Sequence, residues 1–136
     1  MPGIRLTVSG SERPELTERL ATELTQLTCE VLSKRPAKMA VIVEYVPHAQ
    51  WFIDNRSLVA HGKNAFQLVL TITQHTNIRE EKAEYHRKAF ELLSTLIGDV
   101  HPHSNIHVVE CDAVGYGFGG VTLEWRIHHG DGAVPA

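Results

Sequence analysis

Pro2 stands directly behind Met1. A small second residue permits removal of the initiator methionine, which would leave Pro2 as the N-terminus. Its nitrogen would then be a secondary amine with a free lone pair. An interior proline nitrogen is an amide and lacks that basicity. An α-amine titrates near ~7.7–8.0, and an apolar pocket lowers that value toward neutral pH. Such an amine serves as a general base without any catalytic side chain. Many chains begin Met-Pro, so the remaining residues must supply the context.

Three other groupings invite chemistry and lose it on spacing. The nine histidines include His101-Pro102-His103 and His128-His129. Neither pair has i, i+4 spacing or the carboxylate neighbours of a zinc motif, so no metal and no cofactor is expected. Gly115-Tyr116-Gly117-Phe118-Gly119-Gly120 looks like a phosphate cradle. It follows a strand-like run but opens no helix, which removes the nucleotide reading. Cys29 and Cys111 read as small semi-buried residues rather than a disulfide.

The elements that would carry these groups follow from periodicity. Residues 3–9 alternate through Ile4, Leu6 and Val8, a half-buried strand. Ser11 is a suitable N-cap and Pro14 fits a first helical turn. Leu16, Leu20, Leu24, Leu27 and Val31 then form a helical stripe, stopped by Ser33-Lys34-Arg35-Pro36. Residues 39–46 predict a second strand, and 47–55 a turn-rich link holding Trp51 and Phe52. The pattern recurs: a strand over 65–73, and a helix opened by Asn77 and Glu80 at capping-box spacing. That helix carries Tyr85, Ala89, Leu92, Leu93, Leu96 and Ile97. A strand over 106–111, the glycine loop, a last strand over 121–127 and a loose tail complete the chain. The two second strands share Val-Glu, at Val43-Glu44 and Val109-Glu110.

The fold class predicted is α+β: two consecutive β-α-β units, each with a right-handed crossover, sharing one four-stranded mixed sheet with both helices on one face. Residues 1–136 read as one domain of two repeats, 2–60 and 65–127, with a tail at 130–136. No sequence remains for a second layer, so other copies of the chain are the simplest cover for the open sheet face. Hydrophobic content of 43%, charged content of 21% and a net charge of -3 describe an ordinary globular chain without a nucleic-acid footprint. No run approaches the ~20 apolar residues of a membrane span, and no signal peptide is evident, so the expected location is the cytoplasm.

Met1-Pro2 leading into a strand, Gly10, an amphipathic helix, Val41-Ile42-Val43-Glu44 and the aromatic-glycine loop together resemble the tautomerase superfamily. That superfamily includes 4-oxalocrotonate tautomerase and macrophage migration inhibitory factor. The whole chain is similar to two short 4-oxalocrotonate-tautomerase subunits fused head to tail, over roughly residues 2–127. The resemblance implies a homotrimer with one proline amine per chain, acting on small α-keto or enol carboxylates. It implies Pro2 as the base and Trp51 as an aromatic lining a neighbouring subunit's pocket. Lys34 matches a lysine that precedes the second strand in the migration inhibitory factors, which makes it the first choice to hold the carboxylate. Arg13, Arg79, His75 and Arg126 are further cationic candidates, each otherwise a surface charge. Tyr116 is positioned in the loop to donate to an enolate oxygen.

The departures from the family pattern are also informative. Ser11 occupies the place of an arginine that follows the first strand's glycine, and Met39-Ala40 that of a second arginine. His75-Thr76-Asn77 replaces the arginine pair of the dehalogenase and decarboxylase branches, and Gly115 replaces the dehalogenases' acid. These losses argue against both branches, and against hydratase activity. They leave a catalytically idle ligand- or partner-binding member of the fold as the alternative.

Overall fold

The computed structural model of the chain describes residues 3–130 and Gly132. Its elements are β1 (Gly3–Ser9), α1 (Pro14–Leu32), β2 (Ala40–Val46), β3 (Phe52–Ile53), β4 (Arg56–Ser57), α2 (Leu58–His61), β5 (Phe66–Thr73), α3 (Arg79–Ile97), β6 (Asn105–Cys111), β7 (Gly117–Phe118), β8 (Val121–Thr122) and α4 (Leu123–His129). The main sheet runs β2-β1-β5-β6. β1 is parallel to β2, β5 is parallel to β6, and the central pair β1/β5 is antiparallel. The fold is therefore α+β with a mixed four-stranded sheet.

Alternation makes the sheet two-sided. Ile4, Leu6 and Val8 of β1 and Phe66, Leu68, Leu70 and Ile72 of β5 point to the helices and are buried. They meet Leu16, Leu20, Leu24, Thr28 and Leu32 of α1 and Tyr85, Ala89, Leu93 and Ile97 of α3. The helices are tied by a buried hydroxyl pair, Thr28 Oγ1 to Tyr85 Oη at 2.9 Å. The other sheet face carries Arg5, Thr7, Gln67 and His107, with Ile42 and Val109 about half exposed.

A shift of 65 positions maps one half on the other. It takes Pro14 to Arg79, Ala40 to Asn105, Phe52 to Gly117, Arg56 to Val121 and Leu58 to Leu123. Each half ends in a tight hairpin whose two loop residues have positive φ, Asp54-Asn55 and Gly119-Gly120, the requirement of a type I′ turn. Each hairpin runs into a short helix capped by a hydroxyl: Ser57 Oγ accepts from Ala60 N and Thr122 Oγ1 from Trp125 N.

Three local expectations change. The last strand predicted over 121–127 is a two-residue strand followed by α4. The Thr122 cap, Glu124 in the first turn and Arg126, His128 and His129 in the last turn suit a helix dipole. The N-cap of α1 is Arg13, not Ser11, and it makes no side-chain bond because Pro14 fixes the first turn. In α3 the N-cap is Ile78, and Glu81, not Glu80, accepts its N–H at 2.9 Å.

Candidate active site

The pairing register determines what gathers where β1 begins. Gly3 lies between Ala40 of β2 and Thr71 of β5, and Thr73 pairs with Cys111 of β6. The starts of β1 and β2 and the ends of β5 and β6 thus share one end of the sheet. The C-terminus of α1 and the N-terminus of α3 meet at the same end, where Asn77 Nδ2 donates to Leu32 O at 3.0 Å. Pro2 lies outside the described residues; its neighbour Gly3 opens β1.

Lys34 and His75 belong to this end. Ser33 closes α1 in the left-handed region, and the turn releases half-buried Lys34 toward the β5–α3 loop. Its ammonium donates to Thr76 Oγ1 at 2.9 Å, and that hydroxyl donates in turn to Thr73 O at 2.6 Å. Burial lowers the Lys34 pKa, and the Glu81 carboxylate pulls against that shift. Glu81 itself is held below the usual carboxylate range by the N–H of Ile78 and the amide of Asn77. His75 has positive φ and an exposed side chain; its N–H points to Glu110 Oε2. Arg79 opens α3 and is exposed.

The second hairpin arrives at this end from β6. Tyr116 donates its N–H to Asp112 O and accepts from Leu123 N at 2.8 Å. Its phenol is half-buried, and burial followed by the Cys111 thiol raises its pKa, so it stays a hydroxyl donor at neutral pH. Two residues on, the Phe118 ring is approached by two cations: Arg126 Cζ at 4.1 Å and Lys38 Nζ at 5.4 Å from its centroid. Arg126 also donates to Phe118 O at 3.1 Å. It is 8% exposed, not the surface charge its sequence context suggests. Its place on α4 buries it, whereas a strand over 121–127 offers no such site. Gly119 shares its positive φ with its counterpart Asp54, and the Arg126 guanidinium closely approaches the place where a Cβ would stand.

Arg13 and Trp51 lie at the opposite end of the sheet. β1 runs seven residues from Gly3 to Ser9, a span of about 20 Å at 3.3–3.4 Å per residue. Arg13 follows its far end, and its carbonyl accepts from Thr17 and from the Tyr45 hydroxyl. Trp51 is half-buried in a cleft with His101, His103 and Asn105. So a single chain groups Lys34, His75 and Tyr116 and separates them from Arg13 and Trp51. Lys38 and Phe118 are additions from the structure. Their sequence signal was the repeat itself, since the hairpin of one half faces the second strand of the other.

No family model matches the sequence, and no curated protein does. Solved structures match in three dimensions. A wild-type fused 4-OT, an asymmetric trimer, has a TM-score of 0.78 at 12% identity, over 90% of this chain and 97% of its own. Pt0534 inactivated by 2-oxo-3-pentynoate has a TM-score of 0.77 at 8% identity, over 91% and 98%. A macrophage migration inhibitory factor-like protein from Entamoeba histolytica has 0.69 at 14%, over 89% and 97%. Among the described residues, no helix is long and apolar enough to cross a membrane. Identities this low establish the fold: the chain has the tautomerase-superfamily fold, in the double-length form that joins two β-α-β units in one polypeptide.

Proposed function

We propose that the chain is a cofactor-independent tautomerase of small keto or enol carboxylates, with the Pro2 amine as its base. The observation that carries this reading is the grouping of Lys34, Tyr116 and Lys38 at the end of the sheet where β1 begins. The neutral amine takes a proton from a carbon beside a carbonyl, or from an enol hydroxyl, and returns it elsewhere on the conjugated system. The Lys34 ammonium, steadied by Thr76, holds the substrate carboxylate as a charge-assisted donor. The Tyr116 hydroxyl donates to the oxygen where enolate charge develops. His75 and Arg79 add positive potential at the rim. Arg13 reaches a Pro2 site only from a neighbouring chain, while Trp51 stays with the cleft at the far end of its own chain. A cytoplasmic homotrimer, with copies covering the open face of Arg5, Ile42 and Val109, provides such neighbours. Support comes from the trimeric fused 4-OT of the same fold, and from the reaction of Pt0534 with an acetylenic keto acid.

Turnover of phenylpyruvate and 2-hydroxymuconate tests the base. Pro2→Ala should lose roughly 10²–10⁴-fold in kcat; equal turnover in both proteins would sink the mechanism. The mature mass must also lack Met1, and 2-oxo-3-pentynoate should add to the N-terminal peptide of the wild type.

One observation favours a second reading. Ser11 and Met39-Ala40 stand where the family keeps arginines, which suits a catalytically idle ligand-binding protein. Retention of Met1 on the mature chain would select it, because Pro2 would then be an amide.

A further inference from the structure

The cleft at the far end of the sheet is the second-half counterpart of the candidate active site. The 65-residue shift relates Tyr116 to Trp51, Phe118 to Ile53, Lys38 to His103 and Ala40 to Asn105. All four counterparts line one cleft of about 530 Å³, with His101 beside them. The hairpin of the first half faces the start of β6 there, as the hairpin of the second half faces Lys38 at the other end. At the position equivalent to Pro2 the second half has Gln67, inside β5 and in register with Asn105. Its nitrogen is a backbone amide and cannot take a proton.

The wall of this cleft is rich in donors. The Trp51 indole N–H can only donate. The backbone N–H of His103 donates to His101 Nδ1 at 3.0 Å, so neutral His101 carries its proton on Nε2 and presents it as a donor. Burial and the neighbouring His61 keep that ring on the neutral side. The same bond opposes a metal: a ligating Nε2 needs the proton on Nδ1, where the His103 N–H already points. Asn105 Oδ1 accepts from His107 Nε2 at 3.2 Å, which leaves the Asn105 amide hydrogens as donors. The Asp54 carboxylate also lines the cleft, from the exposed hairpin tip, so an anionic ligand must sit on the His101–Asn105 side away from it. Trp51 and Phe52 supply flat apolar surface.

We propose that this cleft binds a small, flat, conjugated carboxylate and leaves it unreacted. A carboxylate satisfies several N–H donors at once, and the aromatic walls suit an unsaturated body. The site rests on the donors in the cleft and not on the basicity of Pro2.

The test is a titration with trans-cinnamate followed by the indole signals of the chain's two tryptophans. Trp51 reports the cleft. Trp125, stacked on His129 in the other hairpin-helix, reports the opposite end. The Trp51 N–H should shift saturably in wild type and in Pro2→Ala alike. His103→Ala combined with Asn105→Leu should weaken that response about tenfold or more, with turnover of phenylpyruvate and circular dichroism unchanged. A Trp51 signal fixed through millimolar cinnamate, a linear non-saturating shift, or equal saturation in the double variant overturns the proposal. Turnover by Pro2→Ala bears on the base alone, so the two assignments fail separately.

Discussion

Trp51 and Tyr116 occupy the same place in two copies of one unit, and their surroundings have opposite character. One backbone bond frames both: Leu58 N donates to Trp51 O at 2.9 Å and Leu123 N to Tyr116 O at 2.8 Å. Around Tyr116 the second hairpin brings Phe118 against Lys38 and Arg126. Around Trp51 the first hairpin meets imidazoles and a carboxamide. Backbone bonding therefore sets the scaffold twice, while side chains decide the chemistry separately at each end. The antiparallel β1/β5 pair is what sends the two ends apart. A chain has one N-terminus, so a terminal amine can serve one end only.

Substitutions that make the halves more alike, or less, test this contrast. The largest effect is expected in the core, where the halves fill equivalent positions differently. Leu24 corresponds to Ala89, and both are fully buried. Leu24→Ala gives both helices the small residue and opens a cavity, with an expected loss of about 3–5 kcal/mol. Urea denaturation should show a lower midpoint at unchanged slope.

The hairpins come next. A Cβ on Gly117 would run into the Val121 carbonyl, whereas its counterpart Phe52 is 60% exposed. Gly117→Ala should cost about 1–3 kcal/mol and Phe52→Ala within about 0.5 kcal/mol, measured the same way. Similar costs at the two sites would break the contrast.

Tyr85 is matched by Leu20, so only one half buries a phenol. Tyr85→Phe removes the bond to Thr28 and should cost about 1 kcal/mol at neutral pH. Burial pushes the Tyr85 pKa from 10.0 up to about 12. Between those values the unfolded chain has released the proton and the folded chain has not. Stability is therefore intact below pH 10 and falls as pH rises toward 12. The Phe variant should lack that loss in an alkaline series of urea melts.

The smallest effect belongs to the exposed side of the helices, where equivalent pairs run in the opposite sense: Arg19 with Glu23 at 2.7 Å and Glu84 with Lys88 at 2.9 Å. Arg19→Gln should change stability by no more than about 0.5 kcal/mol, an effect that vanishes in high salt.

Helix periodicity was legible because one face of each long helix is apolar. The stripes Leu16-Leu20-Leu24 and Tyr85-Ala89-Leu93 identify α1 and α3, each of 19 residues. Periodicity over seven residues was less decisive. Val-Thr-Leu-Glu-Trp-Arg-Ile alternates like a strand, yet β7 pairs with Val121-Thr122 alone, and the Thr122 cap turns the remainder into α4. The shared Val-Glu also misleads by one position. Glu44 lies on the open face with Arg5, while Glu110 lies on the helix face with Lys82. A one-residue offset in a strand reverses the face, and the 65-residue shift pairs Glu44 with Val109 instead. Arg126 was illegible for a related reason, since its burial depends on α4 folding back over Phe118.

By itself the sequence determined the repeat, the core stripes and the fold class, because these depend on composition and local period. Tertiary structure alone decided which candidates share an end of the sheet. Strand register and the antiparallel centre of the sheet bring Lys34, His75 and Tyr116 to one end, and carry Arg13 and Trp51 about 20 Å away. Spacing along a chain does not encode that distance; hydrogen bonding between strands does.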